Sequence, residues 1–232
     1  MTSGGAEERH ELAELLYALS HDLGAPLRVI DGFSEALLEE LQNERQDALP
    51  PDALEYLTTI RGAVSRMNEL FDAIRQLHRV SQAPLRRVDL DVTALAETIS
   101  SELRAAEPSR DVRFAVEPGL AASADPALFR TALSHLLRNA WKFTAKRTDA
   151  VITVGREDEV TLFVRDNGAG FDPAGAGRMF TPFQRFHPAG EYEGLGIGLA
   201  VVRRIVHRHG GRVRARGALQ QGMTVSMELP WL

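Results

Sequence analysis

The feature that most constrains the fold is a long run of apolar residues, spaced three and four apart, in the N-terminal third of the chain. Between Glu7 and Glu44 this spacing predicts one amphipathic helix, and after Pro50-Pro51 it resumes in a second helix that Asp52 can cap. Two helices joined in this way form a hairpin with one apolar stripe on each helix. Burying both stripes requires a second hairpin, so we expect a homodimer with a four-helix core.

Beyond a linker at residues 83–89 the pattern changes to alternating helices and short strands. Helices are predicted at Val92 to Ala106, Pro126 to Phe143 and Leu195 to Arg208. Strands are predicted at Val112 to Val116, Val151 to Val154, Val160 to Arg165, Arg212 to Arg216 and Met223 to Leu229. We therefore predict an α+β protein in which residues 1–82 form the hairpin and residues 90–232 form a sheet covered on one face by helices.

Composition excludes several classes of protein. The net charge of −5 gives no electrostatic reason to expect nucleic acid or an anionic membrane surface as a partner. The absence of cysteine excludes disulfides, a thiolate nucleophile and a cysteine zinc site. No apolar run approaches the ~20 residues of a membrane span, and the N-terminus lacks the features of a signal peptide. We expect a cytoplasmic protein.

His21 is the first candidate for chemistry. On a helix it lies about 200° from both Leu19 and Leu23, so it points away from the apolar stripe. Pro26 has no N–H to donate to the carbonyl of Asp22, which loosens the helix beside the histidine. The Asp22 carboxylate can orient the imidazole or accept its proton. The alternative is a surface His-Asp pair followed by a proline that kinks the helix.

Two glycine-rich segments follow in the second half of the chain. The segment from Asp166 to Gly170 follows an apolar strand, and the next residues lack the alternation of a return strand. It is predicted to bring backbone close to a ligand, with Asp166 as a buried acceptor; a type I′ hairpin turn is the alternative. The segment from Gly194 to Gly198 opens a helix, whose N-terminal amides favour phosphate. Neither segment fits a dinucleotide fingerprint or a P-loop.

The remaining candidate site residues are polar residues on the preceding helix and aromatic residues between the two glycine segments. Asn139 and Lys142 share a helix face and can offer an oxygen to Mg²⁺ and a charge to phosphate; solvated polar residues are the alternative. Phe180 and Phe183, together with Arg185, predict a lid; an ordinary loop held to the core by phenylalanines is the alternative.

Taken together and in this order, these segments resemble the dimerisation and ATP-binding domains of sensor histidine kinases, from near Glu7 to the C-terminus. The matching segments are residues 19–27 for the phosphoacceptor box, 135–144 for the N box, 166–170 and 194–198 for the two glycine boxes, and 180–183 for the aromatic lid box. Residues 163–172 and 205–213 look most similar to kinases attached to phytochrome or PAS sensors. The resemblance implies an α/β sandwich of the GHKL (Bergerat) type for residues 90–232.

The resemblance also implies an activity. His21 would be phosphorylated from Mg-ATP, with Asp22 as its base, and the phosphoryl group would pass to an aspartate in the receiver domain of a response regulator. An upstream sensor is a further implied partner. Asn139 would hold Mg²⁺, Lys142 would contact phosphate and Asp166 would bind the adenine amino group. The other residues implied for nucleotide binding are Gly168, Gly170, Phe180, Phe183, Arg185, Gly194, Gly196 and Gly198.

Three positions depart from the family pattern. Ala25 stands where many relatives have a Thr or Asn tied to dephosphorylating the response regulator, so the resemblance does not extend to that reverse activity. His135 stands where Asn or Glu is common, and Leu195 replaces a small hydroxylated residue that contacts phosphate. Two alternatives remain, namely a GHKL ATPase without autokinase activity and a non-catalytic dimeric phosphotransfer scaffold. The absence of a Glu base in the N box favours the kinase over the ATPase, and retention of Asn139, Asp166 and the glycines favours it over the scaffold.

Overall fold

The computed structural model describes residues 23, 27–39, 53–188, 191–192 and 194–230. The chain divides into two compact units, Met1–Arg79 and Val80–Leu232, each described separately below. His21, Asp22 and Ala25 lie outside the described residues, so their predicted roles remain predictions. No helix within the described ranges is both long and apolar enough to cross a membrane.

The first unit contains two helices that lie side by side. Helix α1 is described over residues 27–39, and helix α2 spans Ala53–Gln82 and ends just inside the second unit. On α2, Leu57 and Val64 are buried in the single chain. Arg61 joins the two helices through its Nη2 atom, 3.3 Å from Oε1 of Glu35 on α1. The two helices and this ion pair between them agree with the hairpin predicted from the spacing of apolar residues.

A second set of apolar side chains on the hairpin remains exposed to solvent in the single chain. Leu23, Ile30 and Leu37 follow one another at intervals of seven residues and are 43%, 44% and 43% exposed. On α2, Ile60 and Met67 have the same spacing and are 43% and 38% exposed. A seven-residue repeat of apolar side chains is the pattern of a helix–helix seam, and here the single chain does not cover it.

The second unit is built around a five-stranded sheet. Its elements in chain order are β1 (Val88–Asp91), α3 (Val92–Ala106), β2 (Arg113–Val116), β3 (Ala121–Ala124), α4 (Pro126–Phe143), β4 (Val151–Asp158), β5 (Thr161–Asp166), a 3-10 helix (Pro173–Arg178), α5 (Gly198–Arg208), β6 (Arg212–Gly217) and β7 (Met223–Glu228). The strand order is β2-β4-β5-β7-β6, in which only the β2–β4 pair is parallel. Strands β1 and β3 form a separate antiparallel pair. The predicted α+β class is confirmed.

The core lies between this sheet and helices α3 to α5. Alternate residues of the central strands are buried, as Ile152 and Val154 of β4 and Leu162 and Val164 of β5 show. Helix α4 contributes Phe129, Leu133, Leu136 and Leu137 to this core, each at most 2% exposed. The buried alternate residues of the strands and the apolar face of α4 therefore pack together in one apolar layer.

Four elements differ clearly from the sequence prediction. Strands β1 and β3 were not predicted, because a four-residue strand such as Ala-Ala-Ser-Ala has no strand-forming composition. The 3-10 helix was not predicted either; Asp172 caps it by accepting a hydrogen bond from Ala174 N at 2.9 Å. Helix α5 begins at Gly198, not Leu195, because Gly194 and Gly196 have φ values of +117° and +72°, outside the helical region.

Residues 80–87, which begin the second unit, are hydrogen-bonded to the C-terminal end of α5. The Arg208 guanidinium donates to the backbone carbonyls of Val80, at 2.5 Å, and Ala83. Arg87 Nη2 donates to the carbonyl oxygen of His209 at 3.1 Å. The course of the chain between α2 and β1 is therefore fixed by residues that follow it by more than 100 positions.

Asp125 connects this segment to the start of α4. Its Oδ1 atom accepts hydrogen bonds from Ala127 N and Leu128 N, both at 3.1 Å, and its Oδ2 atom accepts one from Arg86 N at 3.0 Å. Burial works to raise the pKa of the Asp125 carboxyl, but these three N–H donors outweigh it and the pKa falls below its usual value. The backbone N–H of Asp125 in turn donates to Nε2 of the buried His209 at 3.0 Å.

Replacing this cap is expected to destabilise the second unit more than replacing an ordinary one. Asp125→Ala removes three accepted hydrogen bonds at an 8% exposed position, and we expect it to lower the free energy of unfolding by about 2–3 kcal/mol. The control, Asp91→Ala, removes one cap bond of 2.8 Å at the exposed start of α3 and is expected to cost about 1 kcal/mol. Urea denaturation measures both. Equal losses for the two variants would show that neither the second cap bond nor the Arg86 contact contributes to stability.

Candidate active site

A cavity of about 230 Å³ lies between α4, the glycine segment after β5 and the segment that leads into α5. We call residues 179–196 the lid segment. Four residues of one face of α4 line the cavity: His135, Asn139, Lys142 and Phe143. Three other parts of the second unit complete the lining. The strand ends and the first glycine segment contribute Asp166, Gly170, Phe171 and Met223, and the start of α5 contributes Ile197, Gly198 and Leu199. The lid segment contributes Met179, Gln184, Arg185, Phe186, His187, Tyr192, Gly194, Leu195 and Gly196.

Most of the residues predicted for nucleotide binding meet in this cavity. The predicted residues that line it are Asn139, Lys142, Asp166, Gly170, Arg185, Gly194, Gly196 and Gly198. Gly168, Phe180 and Phe183 do not line it. Phe180 instead lines a separate groove beside β6, and Phe183 is 42% exposed. The aromatic residues of the predicted lid therefore do not form the wall of the cavity.

Asp166 is a carboxylate at the end of β5 that is only 5% exposed. It accepts hydrogen bonds from Gly168 N, at 2.8 Å, and from the backbone of Met223. Burial raises the pKa of Asp166 to about 6, although both hydrogen bonds act to lower it. At pH 7 the side chain is an ionised acceptor held in a mostly apolar cavity. Such a group favours a ligand that donates a hydrogen bond to it.

Glycine allows the backbone around Asp166 to pack closely. A Cβ at Gly168 would lie 2.4 Å from the Phe143 carbonyl oxygen, and one at Gly170, where φ is +64°, would lie 1.8 Å from the Ala218 carbonyl oxygen. A Cβ at Gly222, where φ is +80°, would lie 1.9 Å from the carbonyl oxygen of Asp166 itself. Gly222 was not predicted from the sequence, because it stands more than 50 residues from Asp166 and belongs to none of the glycine segments.

Two cations face the cavity. Burial and the neighbouring Arg185 both lower the pKa of Lys142, so its ammonium form is less stable here than in water. The Arg185 Nη2 atom donates a 2.7 Å hydrogen bond to the Tyr192 carbonyl oxygen, which keeps the guanidinium within the lid segment. An anionic ligand would relieve the repulsion between these two groups.

His135 and Asn139 lie one turn apart on α4, next to the start of α5. Burial, followed by the charge of Arg138, lowers the pKa of His135, so its imidazole is neutral at pH 7. A Cβ at Gly198 would lie 3.1 Å from His135 Nδ1 and 3.7 Å from Asn139 Nδ2. Glycine at the first position of α5 thus lets the two helices approach each other, and keeps the Asn139 amide in the cavity wall.

The N-terminus of α5 faces the cavity without a side-chain cap. Ile197 is the N-cap residue and makes no side-chain cap hydrogen bond, while Gly198 and Leu199 line the cavity. Uncapped N–H groups at the start of a helix, together with the helix dipole, attract anions.

A backbone hydrogen bond connects the middle of the lid segment to its C-terminal end, which overlaps the second glycine segment. Phe183 N donates to the Gly196 carbonyl oxygen at 3.1 Å, and a Cβ at Gly196 would lie 2.2 Å from the Gln184 carbonyl oxygen. Phe183 adopts a φ of +64°, an unfavourable value for a residue with a side chain. Its backbone, more than its ring, therefore connects the lid segment to the cavity.

An aromatic group between α4 and the lid segment was not predicted. The rings of Phe143, His187 and Tyr192 lie with their centroids 5.0–5.1 Å apart, and Lys142 Nζ lies 4.3 Å from the Phe143 ring centroid. Phe143 precedes His187 and Tyr192 by more than 40 positions along the chain. No local pattern in the sequence indicates their contact, and the fold alone brings them together.

Two family models match this chain. Residues 11–83 match the His Kinase A (phospho-acceptor) domain, and residues 124–232 match the Histidine kinase-, DNA gyrase B-, and HSP90-like ATPase. The chain belongs to the sensor histidine kinases. The resemblance drawn from its sequence motifs is confirmed, as is the GHKL type of the second unit.

The chain is similar to several named histidine kinases and phytochromes. It is 30% identical over 223 residues to Cyanobacterial phytochrome A of Nostoc sp., covering 95% of this chain and 28% of the relative. It is 32% identical over 224 residues to the methanogenesis regulatory histidine kinase FilI of Methanothrix harundinacea, covering 95% and 25%. Full-length ShkA, solved in complex with AMPPNP, has a TM-score of 0.64 at 27% identity, covering 94% of this chain and 46% of ShkA. The chain spans about a quarter of the length of the two curated relatives.

Proposed function

We propose that the chain binds Mg-ATP in the cavity, phosphorylates its own His21 and passes the phosphoryl group to an aspartate in the receiver domain of a response regulator. The observation that supports this best is the cavity itself. It combines a buried carboxylate, Asp166, with an uncapped helix N-terminus and two cations. One acceptor for a base and several donors for phosphates are the groups that a nucleoside triphosphate requires.

Asp166 is proposed to accept a hydrogen bond from the exocyclic amino group of adenine. The hydrogen bonds from Gly168 N and Met223 fix the orientation of the carboxylate. A purine that carries a carbonyl in place of the amino group would present an oxygen to this carboxylate. The repulsion between the two acceptors supports a preference for ATP over GTP.

The phosphates are proposed to lie against the start of α5, Lys142 and Arg185. The pKa of Lys142, lowered by burial and by Arg185, would rise again beside a phosphate. Gly194 and Gly196, both with positive φ, allow the backbone before α5 to turn without a side chain between it and the ligand. Gly168 and Gly170 support the site from the side of Asp166, and Phe180 and Phe183 belong to the lid segment without contacting the cavity.

The residues present fit a magnesium ion that is held mainly by the phosphates of the bound nucleotide. Among the described residues no group of three or more His, Cys, Asp or Glu could hold a metal ion. Mg²⁺ usually retains several waters and takes one or two protein oxygens together with substrate phosphates. Asn139, in the wall of the cavity, is the residue proposed to hold it through its amide oxygen. When bound, the ion neutralises charge that develops on the phosphate oxygens.

The transfer step follows from the chemistry of imidazole. A ring nitrogen of His21 attacks the γ-phosphorus in line, a nitrogen–phosphorus bond forms, the bond to the β,γ-bridging oxygen breaks, and ADP leaves. Asp22 orients the imidazole and accepts the proton that the ring loses. In the second transfer a carboxylate of the partner attacks the phosphorus and the imidazole is the leaving group. Positioning of the two reactants provides most of the rate enhancement.

The exposed apolar repeat on the hairpin supports homodimerisation. Leu23, Ile30 and Leu37 on one helix and Ile60 and Met67 on the other would be covered by the same residues of a second copy. The match to a phospho-acceptor domain over residues 11–83 points to the same assembly. A cytoplasmic location and an upstream sensor, in the same or another protein, complete the proposal.

Incubation of the full chain with γ-labelled ATP and Mg²⁺ tests this proposal. The label is expected on His21, labile in acid and stable in alkali, and absent from His21→Ala. The variant should bind ATP as tightly as the wild type, because His21 belongs to the phospho-acceptor match and the residues that line the cavity all belong to the second unit. ATP hydrolysis without any protein label would favour the GHKL ATPase alternative, and ATP binding with neither reaction would favour the scaffold.

Lys142→Met is expected to weaken ATP binding about tenfold and to leave adenosine binding unchanged. Methionine keeps most of the side-chain length but removes the charge, so only the phosphates lose a partner. Isothermal titration calorimetry with the two ligands measures the difference. Lys146→Met is the control, because Lys146 is exposed and pairs with Glu191 at 3.2 Å instead of lining the cavity. An equal loss of adenosine and ATP affinity in Lys142→Met would rule out the phosphate role.

A further inference from the structure

The C-terminal part of the chain has a charge distribution unlike that of the whole. Residues 194–227 contain six arginines and no Asp or Glu, in a chain with a net charge of −5. These arginines fall on two adjacent elements, with Arg203, Arg204 and Arg208 on α5 and the other three on β6. None of the six lines the nucleotide cavity. This basic region is therefore not explained by the proposed kinase reaction.

Part of this region surrounds a groove of about 610 Å³ beside β6. Arg203 and His207 of α5 form one side of it, and the 3-10 helix with Phe180 forms another. The residues of β6 that line it are Arg212, Val213, Arg214, Ala215 and Arg216. The groove thus combines basic side chains with the small apolar surface of Phe180 and Val213. We call it the β6 groove.

Most of the positive charge in the β6 groove lacks an internal counter-ion. Arg214 pairs with Glu228 at 3.2 Å, whereas Arg203, Arg212 and Arg216 form no ion pair within the described part of the chain. Burial lowers the pKa of His207, and the neighbouring Arg203 and Arg204 lower it further. By contrast, Arg204 and Arg208 donate to residues of the 80–83 segment. The groove is consequently an electropositive surface that favours an acidic ligand.

The backbone of β6 adds a second requirement for the ligand. Strand β6 lies at one edge of the sheet and pairs only with β7 within the described residues. In the same ranges, the backbone groups of residues 212–216 that point away from β7 make no other hydrogen bond. A free strand edge can pair with an added strand. Because Arg212, Arg214 and Arg216 alternate along it, they fit a strand with acidic residues at every second position.

We propose that the β6 groove binds an extended acidic segment of a partner protein, which adds to the sheet as a strand beside β6. Acidic side chains of the segment pair with Arg212, Arg214 and Arg216, and its intervening apolar side chains pack on Phe180 and Val213. A protein segment fits better than nucleic acid, because the negative net charge of the chain opposes a long polyanion while a peptide backbone matches the free edge. This interaction is separate from nucleotide binding and from phosphorylation of His21.

Fluorescence anisotropy of the full chain with a fluorescein-labelled peptide of alternating glutamate and valine tests the proposal. The peptide is expected to bind, and Arg212→Glu or Arg216→Glu is expected to weaken binding about tenfold. Arg113→Glu is the matched control, since Arg113 is an exposed arginine on β2, the opposite edge strand of the same sheet. It should leave the affinity unchanged. ATP binding, measured in parallel, should be the same in all three variants and shows that each is folded.

A second peptide separates strand addition from simple charge attraction. N-methylation of alternate backbone nitrogens keeps every charge but removes the N–H groups that a strand would donate, and it is expected to abolish binding. Equal affinity for the methylated peptide, or equal losses in Arg113→Glu and Arg216→Glu, would overturn the proposal. So would displacement of the peptide by a thymidine oligonucleotide at lower concentration than by unlabelled peptide, which would indicate a nucleic-acid surface.

Discussion

Asp166→Asn is expected to lower the affinity for ATP about a hundredfold and, at the same time, to stabilise the nucleotide-free protein slightly. The loss of affinity follows from the buried position of the carboxylate. A hydrogen bond from adenine to an ionised acceptor, shielded from water, is stronger than one to a neutral amide. The asparagine oxygen also remains engaged by Gly168 N, which leaves the amide nitrogen facing the ligand.

The gain in stability follows from the pKa of Asp166, which burial raises to about 6. Between the ordinary value near 4 and this raised value, the folded state binds more protons than the unfolded state, so stability falls as pH rises through that window. Above pH 6 the ionised carboxylate costs about 3 kcal/mol. Asparagine avoids this cost but cannot accept from both Gly168 N and Met223. We therefore expect a net gain of about 1 kcal/mol at pH 8 and none at pH 4.

Calorimetric titration with ATP and urea denaturation at pH 4 and pH 8 measure the two effects. Asp172→Asn is the matched control, because Asp172 is an exposed aspartate in the same loop that only caps the 3-10 helix. It should change neither the affinity nor the pH dependence. Unchanged ATP affinity in Asp166→Asn would remove Asp166 from the nucleotide site, and a loss of stability at pH 8 would show that its ionised form is well stabilised.

Gly170→Ala is expected to lower the free energy of unfolding by about 3 kcal/mol or more, which is enough to leave many marginally stable domains unfolded. Two effects combine at this position. The φ of +64° disfavours any residue with a Cβ, and that Cβ would lie 1.8 Å from the Ala218 carbonyl oxygen. Because the opposing atom belongs to the backbone, no side-chain rotation can relieve the clash.

Gly119→Ala separates the two effects. Gly119 has a similar φ of +74°, but a Cβ there would meet nothing within 4 Å. This variant isolates the backbone conformation and is expected to cost about 1 kcal/mol. The difference between the two variants in urea denaturation, followed by the fluorescence of the buried Trp141, measures the steric contribution. Equal losses would show that the loop around Gly170 relaxes to accommodate the methyl group.

Helix boundaries show how much of the fold the sequence could predict. Helices α3 and α4 begin and end where predicted, because Asp91 and Asp125 mark their starts and each helix has a sustained apolar face. Helix α5 was predicted to begin too early, because Gly194 and Gly196 have positive φ values and Gly196 packs closely against the backbone of Gln184. Strands β1 and β3 have four residues each and pair with each other across 30 residues, and the sequence of β3, Ala-Ala-Ser-Ala, has no strand-forming composition.

The site was predictable where a motif lies within one element. Asn139 and Lys142 share a face of α4, and Asp166 ends an apolar strand, so local pattern was sufficient to propose them. Phe180 was predicted for the nucleotide site on the order of the motifs, but the turn after the 3-10 helix directs it to the β6 groove. Gly222 depends on contacts across the sheet. Spacing along the chain contains no information about such contacts.

The exposed repeat of Leu23, Ile30, Leu37, Ile60 and Met67 makes the first unit sensitive to how many copies of the protein a cell contains. If burial of this surface depends on a second copy, its contribution to stability follows mass action, and each tenfold dilution removes about 1.4 kcal/mol. The second unit has its own core, so its stability is not expected to depend on the concentration of the protein. On the proposed dimerisation, dilution would remove this stabilisation from the first unit and leave the cavity of the second unit intact, so the proposed phosphorylation of His21 would depend on the concentration of the protein.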